Sequence, residues 1–185
     1  MKKILTLFAA VIMLFSITEM NAQKRMTSPI YVGGETGLSI PMGDFGDVAN
    51  MGFLFQGFVN FLVTPNISLN GSIGYYTWGF DVENYDGSFY NIPIMVGGHY
   101  EIPLQGLTPF FGAELGLNFV GSSDVEYNGF QIAEGDSDTE FGFAPFFGAF
   151  FAVAPNIDLK GQMKFNLIDD GNNFAIIFGA RFRMN

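Results

Sequence analysis

The sequence predicts an all-β chain: an eight-stranded antiparallel up-and-down transmembrane β-barrel with four long outer loops and three short periplasmic turns. Three observations predict it. Apolar and polar residues alternate over segments of about ten residues or more, the period of a strand with two unlike faces. The links between those segments are alternately tight and long, as in barrels that cross an outer membrane. Only 14% of the 185 residues are charged, while 23 are Phe and 24 are Gly. Soluble domains carry roughly 25% charge, and a chain this aromatic has more apolar surface than a soluble fold hides.

The first element is a leader. Lys2 and Lys3 precede an apolar run from Ile4 to Ile17, and a short polar exit runs from Thr18 to Ala22. That is the order of a secretory signal, and the run is shorter than the ~20 residues of a spanning helix. Residues 1–22 are read as a signal peptide, 23–28 as a short N-terminal segment and 29–185 as the barrel. The chain has no Cys, which excludes disulfides, cysteine metal sites and a cysteine-linked lipid anchor.

Eight segments follow, at about 30–41, 52–63, 66–80, 89–102, 108–120, 140–154, 156–168 and 173–184, each long enough for a tilted spanning strand. The first carries Glu35, and the second Gln56 and Asn60. The third alternates Ile67, Leu69, Ile73 and Tyr75 with Ser68, Asn70, Ser72 and Gly74. The fourth sets Ile92, Ile94, Val96, Tyr100 and Ile102 against Asn91, Gly97, His99 and Glu101. The fifth sets Phe111, Ala113, Leu115, Leu117 and Phe119 against Gly112, Glu114, Gly116 and Asn118. The sixth is apolar on both faces, so its pattern leaves its register open. The seventh alternates Ile157, Leu159, Met163, Phe165 and Leu167 with Asp158, Lys160, Gln162, Lys164 and Asn166. The eighth sets Phe174, Ile176, Phe178 and Phe182 against Gly179, Arg181 and Arg183.

Tight links fall at Pro65-Asn66, Pro103 to Gly106 and Pro155-Asn156, where Pro presets φ and Asn tolerates turn geometry. The long links are 42–51, 81–88, 121–139 and 169–172. This asymmetry places both termini and the short turns in the periplasm and the long loops outside.

The ionisable residues sort the same way. After Arg25 the only basic residues are Lys160, Lys164, Arg181 and Arg183, all on polar strand faces, together with the acids Glu35, Glu101, Glu114 and Asp158. An eight-stranded barrel is only wide enough inside for side chains, and buried charges need partners. These eight residues and His99 are therefore expected to form a balanced lumen ion-pair network, with Gln56, Asn60, Asn70 and Gln162 filling the remaining polar space. The other thirteen acids of the mature chain lie in or beside the loops, which contain no Lys or Arg. They are Asp44 and Asp47; Asp81, Glu83 and Asp86; Asp124, Glu126, Glu134, Asp136, Asp138 and Glu140; and Asp169 and Asp170. Asp136, Asp138 and Glu140 are candidates for a weak cation site or a partner-binding loop. Tyr75, Trp78 and Tyr90, at the outer ends of the third and fourth strands, are candidate membrane-interface aromatics.

The leader, the eight alternating strands and the loop asymmetry together resemble the small eight-stranded outer-membrane β-barrel family of the OmpA/OmpX type, over nearly all of the mature chain. The resemblance implies a place in the outer membrane of a Gram-negative envelope, contact with its lipids and lipopolysaccharide, and handling by the barrel assembly machinery. One feature departs from it. Members commonly end on an aromatic residue, whereas this chain ends Phe182-Arg183-Met184-Asn185.

The function expected is non-enzymatic: structural, adhesive or partner-binding, with a surface or envelope protein as candidate partner. No cofactor, metal or catalytic residue is assigned. The single His, His99, has Glu101 on its own face, but there is no Gly-x-Ser-x-Gly elbow, phosphate loop or metal-binding His pair. The formal charge of −10 disfavours nucleic acid. The alternatives are a soluble exported lipocalin-like carrier, a lipid-acting outer-membrane enzyme and a narrow channel.

The chain also repeats itself. Val63 to Gly71 reads VTPNISLNG and Val153 to Gly161 reads VAPNIDLKG, which assigns the two copies to opposed periplasmic hairpins. Residues 94–101 echo 176–183 in the same way.

Overall fold

The computed structural model describes residues 29–80, 85–127, 130–169 and 171–184. The expected signal peptide and residues 23–28 lie outside the described residues. Eight long strands are present: β1 (Ile30–Pro41), β2 (Gly52–Thr64), β3 (Ile67–Gly79), β4 (Ser88–Glu101), β5 (Leu107–Ser122), β6 (Ser137–Ala154), β7 (Ile157–Ile168) and β8 (Asn173–Met184). Each pairs antiparallel with its neighbours in the chain, and β1 pairs with β8 from Ile30↔Met184 to Pro41↔Asn173. That last ladder closes the ring and removes the free sheet edges that hydrocarbon would leave without hydrogen-bond partners.

The two faces of each strand have opposite fates. Phe55, Ile73, Val96, Phe111, Phe147 and Phe178 point outward and are exposed. Glu35, Gln56, Asn70, His99, Glu101, Glu114, Lys164 and Arg181 point inward and are buried. A soluble carrier needs the reverse, an apolar interior and a polar exterior, so the carrier reading does not fit this barrel. β6 takes the register its sequence left open: Phe141, Phe143, Phe147 and Phe151 face out, while Ala144, Phe146 and Phe150 are buried within. Gly97 and Gly179 face the lumen because nothing larger fits. A Cβ on Gly97 would lie 2.1 Å from the Ala113 carbonyl oxygen, and one on Gly179 would lie 2.4 Å from that of Gly34.

The short turns lie at one end. Thr64 Oγ1 accepts the Asn66 and Ile67 amides at 3.3 and 3.0 Å, and Gly106 turns the link that begins at Pro103 with φ +80°. The two Pro-Asn turns make the same neighbour contact. The Asn66 carbonyl accepts the Glu101 amide at 2.7 Å, and the Asn156 carbonyl accepts the Arg183 amide at 2.9 Å. The sequence echo is thus a structural one, between hairpins on opposite sides of the ring.

The other end carries more structure than loops. A 3-10 turn spans Gly43–Asp47. Tyr85–Asp86, Val125–Tyr127 and Phe130–Ala133 form a separate three-stranded sheet, and β6 begins at Ser137 rather than near residue 140. Alternation with apolar residues stops where the strand leaves the membrane. Backbone pairing continues into water, where acidic side chains suit either face.

A charge on the outward face is the simplest check of this topology. Val96→Arg near the middle of β4 should cost about 2–4 kcal/mol, and Ile102→Arg at the periplasmic end about 0–1 kcal/mol. Urea titration of folding into phospholipid vesicles measures both. Equal costs would contradict the spanning assignment.

Candidate functional site: the lumen network and the outer cavity

The lumen residues gather into layers. Nearest the periplasmic end, Arg181 donates from Nε to Asp158 Oδ2 at 2.7 Å and from Nη1 to Glu101 Oε1 at 2.9 Å. Its guanidinium also lies 3.4 Å from the Phe150 ring centroid, a cation–π contact. In the middle layer Lys160 pairs with Glu35 Oε2 at 2.7 Å, and Gln56 Nε2 donates to Glu35 Oε1 at 2.9 Å. Beside it Lys164 pairs with Glu114 Oε2 at 2.5 Å, while Asn70 and Ser72 donate to Glu114 Oε1. Towards the outer end charges give way to amides: Asn91 donates to Asn118 at 2.9 Å, and Asn166 to Asn173 at 2.7 Å.

Arg183 is the exception to the expected network. It is exposed at the end of β8 and makes no ion pair among the described residues. Alternation sets which face a residue takes but not its depth, and Arg183 lies where the strand leaves the barrel. The interior therefore holds Glu35, Glu101, Glu114 and Asp158 against Lys160, Lys164 and Arg181, with His99 on Glu101 as the remaining basic group.

His99 brings hydrolase residue types together without hydrolase geometry. Ser68 is its cross-strand partner. Yet Ser68 Oγ donates to Glu101 Oε1 at 3.0 Å, and His99 Nε2 lies 3.0 Å from the same oxygen. Serine activation needs the serine on the imidazole and the carboxylate on its other nitrogen. Here both residues share one carboxylate oxygen, and the imidazole packs against Phe110, Phe146 and Phe150. A lumen void of about 10 Å³ lies beside Gln56, Asn70 and Lys160, room for about one water.

The outer mouth is different. Ala49, Leu54, Tyr76, Trp78, Ala175 and Ile177 form an apolar plug among the amide pairs. Phe45, from the 3-10 turn, stacks edge-on to Trp78 at 5.2 Å and to Phe89 at 5.4 Å. Over this plug opens a cavity of about 380 Å³ with an apolar floor that includes Phe45, Trp78, Phe89 and Ile168. Its rim carries Asp44, Asp136, Asp138, Glu140 and Asp169. Trp78, expected at the membrane interface, is instead 3% exposed and faces inward. Its even position already placed it on the face of Ser68, Asn70 and Ser72, and that parity outweighs the general preference of Trp for interfaces. Tyr75 does face outward and is exposed, while Tyr90 is half-buried beside Gly121.

Among the described residues no three acidic or histidine side chains gather closely enough to hold a metal ion. Asp138 and Glu140 both lie in β6, where alternate residues are ~7 Å apart. Asp136 and Asp138 each accept the amide of the following residue, at 2.8 and 2.6 Å. Asp81, Glu83 and Asp170 lie outside the described residues.

A closed antiparallel barrel, apolar outside and ion-paired within, is an integral membrane β-barrel protein. The chain belongs to the outer membrane protein beta-barrel domain family, whose model matches residues 7–183, and its location is the outer membrane. No curated protein matches it. Solved structures show the same fold. Neisserial surface protein A aligns with TM-score 0.62 at 19% identity, covering 84% of this chain and 97% of that one. The Yersinia pestis attachment invasion locus protein Ail, in complex with the heparin analogue sucrose octasulfate, aligns with TM-score 0.58 at 20% identity, covering 85% and 97%. The N-terminal β-barrel domain of Pseudomonas aeruginosa OprF aligns with TM-score 0.53 at 13% identity, covering 83% and 97%.

Two outcomes follow from the filled lumen. Lys164→Met strands the buried Glu114 carboxylate and should cost about 3–5 kcal/mol. Adding Glu114→Gln, which keeps acceptors for Asn70 and Ser72, should recover most of that loss in the same urea titration. Planar-bilayer recordings of the wild-type protein should show no resolved single-channel steps; a steady ohmic conductance would overturn the closed lumen.

Proposed function

We propose that the protein is a non-enzymatic surface receptor, a rigid barrel that presents an acidic outer face to a cationic partner protein. The observation that carries this reading is charge segregation. Every Lys and Arg after Arg25 belongs to strands β7 and β8, and the outer loops hold acids with no Lys, Arg or His. Asp44, Asp47, Asp124, Glu134, Asp136, Asp138 and Asp169 are all exposed there. A single-sign face of this kind steers and selects oppositely charged partners. A polyanion such as the heparin analogue in the Ail complex would meet carboxylates and no Lys, Arg or His on these loops.

The non-enzymatic part rests on the Ser68, His99 and Glu101 geometry, which has no activated nucleophile and is enclosed by packed side chains. The outward aromatic and aliphatic belt would contact outer-membrane lipids, with lipopolysaccharide around the outer rim. The closing β1–β8 ladder is the seam that the barrel assembly machinery would complete.

Photo-crosslinkers at the exposed neighbours Val48 and Asn50, used in native membranes, test the reading. A captured protein with a basic contact surface, lost when Asp44, Asp47, Asp124 and Glu134 are changed to Asn or Gln, is the expected result. Capture that survives neutralisation, or binding of the purified protein to immobilised heparin in preference to a basic protein, would overturn it.

A further inference from the structure

His99 is a buried titratable group with no part in the acidic outer face. It is the only His in the chain, and it sits in the periplasmic layer of the lumen with Glu101, Asp158 and Arg181. The charges of the interior do not balance without it. Lys160 pairs with Glu35 at 2.7 Å and Lys164 with Glu114 at 2.5 Å, one cation to each acid. The periplasmic layer instead has two carboxylates and one guanidinium. Arg181 serves both, with Nε on Asp158 and Nη1 on Glu101. The Asp158 side chain is 19% exposed and that of Glu101 7%, too little for water to take the place of a second cation. A buried carboxylate without its own partner is costly. Arg183 does not supply one, because it is exposed at the end of β8 and makes no ion pair among the described residues.

The surroundings of the imidazole suit a cation. Its Nε2 lies 3.0 Å from Glu101 Oε1, an oxygen that also accepts from Ser68 Oγ and Arg181 Nη1. A carboxylate oxygen only accepts, so Nε2 carries a hydrogen and the charge depends on the other ring nitrogen. The ring also lines the void of about 10 Å³, where a water can accept a second N–H. The charged residues that share that void, Glu114 and Lys160, are each paired elsewhere. From β5 and β6 the ring meets Phe110, Phe146 and Phe150, which bring no charge. Arg181 is the like charge on the same carboxylate, and Asp158 offsets it.

We infer that His99 is the fourth cation of the lumen, an imidazolium whose proton balances the Glu101–Asp158–Arg181 layer and makes the periplasmic end of the barrel a proton-sensitive lock. With the proton in place, two acids face two cations. Without it, one buried carboxylate is in excess. The lock is engaged on the acid side of neutral and weakens as the pH rises and the imidazole loses its proton.

A single His makes the test direct. Nitrogen-15 labelling of histidine in the full, untagged barrel, placed in nanodiscs of phosphatidylcholine, reports on His99 alone. Spectra are followed between about pH 6 and pH 8, the range in which His is the side chain that ordinarily changes charge. At the acid end both ring nitrogens should show the shifts of an imidazolium. Asp158→Asn removes the carboxylate in excess and should weaken proton binding by His99 about tenfold. Urea titrations over the same range should show wild-type stability falling as the pH rises. His99→Gln, which is neutral at every pH and keeps an amide donor for Glu101, should lack that fall. Retained heat-modifiable gel migration identifies variants that still fold.

Ring nitrogens that remain those of a neutral imidazole down to about pH 6 would overturn the assignment, as would proton binding that Asp158→Asn leaves unchanged. Equal pH dependence of stability in the wild type and in His99→Gln would overturn the lock. If either variant fails to fold, the wild-type spectra still decide the charge of His99.

Discussion

Closing eight strands into a ring leaves an interior only wide enough for side chains, and the charged residues of the lumen are arranged around that limit. No water column is available to solvate Glu35, Glu101, Glu114 and Asp158, so each must meet a cation or a donor within reach of its own layer. Three long basic side chains do so, and two of them also lie over aromatic rings: Lys160 over Phe58 and Arg181 over Phe150. The network is not surplus stabilisation added to a finished barrel. Removing one partner leaves a charge with nowhere to go, so the arrangement specifies the register of the strands that carry it.

The same limit explains the two halves. The Pro-Asn hairpins and the strands beside them repeat across the ring, down to an equivalent turn-carbonyl hydrogen bond. Their lumen faces are not copies. Ser68 and Asn70 in β3 stand where Asp158 and Lys160 stand in β7, and His99 and Glu101 in β4 where Arg181 and Arg183 stand in β8. Two identical acidic or basic halves could not share one narrow interior. The divergence puts the cations of β7 and β8 against acids from β1, β4 and β5, as well as Asp158 of β7 itself.

The outer mouth is where the ionic interior ends. The Tyr76–Trp78 plug lies among the amide pairs, and the loops beyond it carry acids with no Lys or Arg. That composition gives the outer face a single sign, and Trp78 of the plug contributes to the apolar cavity floor.

Much of this was legible in the residues alone. Alternation located eight strands and assigned Glu35, Gln56, His99, Glu114, Lys160 and Arg181 to the inside, since a strand's side chains change face at every residue. Loop asymmetry set the topology, and the conflict between many aromatics and few charges pointed to lipid. Three things were decided only in three dimensions. β6 is apolar on both faces, so its register came from pairing with β5 and β7. Arg183 shares the face of Arg181, but depth along the axis depends on where the barrel ends. The cavity at the mouth is assembled from Phe45, Trp78, Phe89, Ile168 and distant acids, which no local pattern connects. Periodicity records which way a side chain points. How deep it sits, and what it meets there, depend on the stagger and closure of the ring.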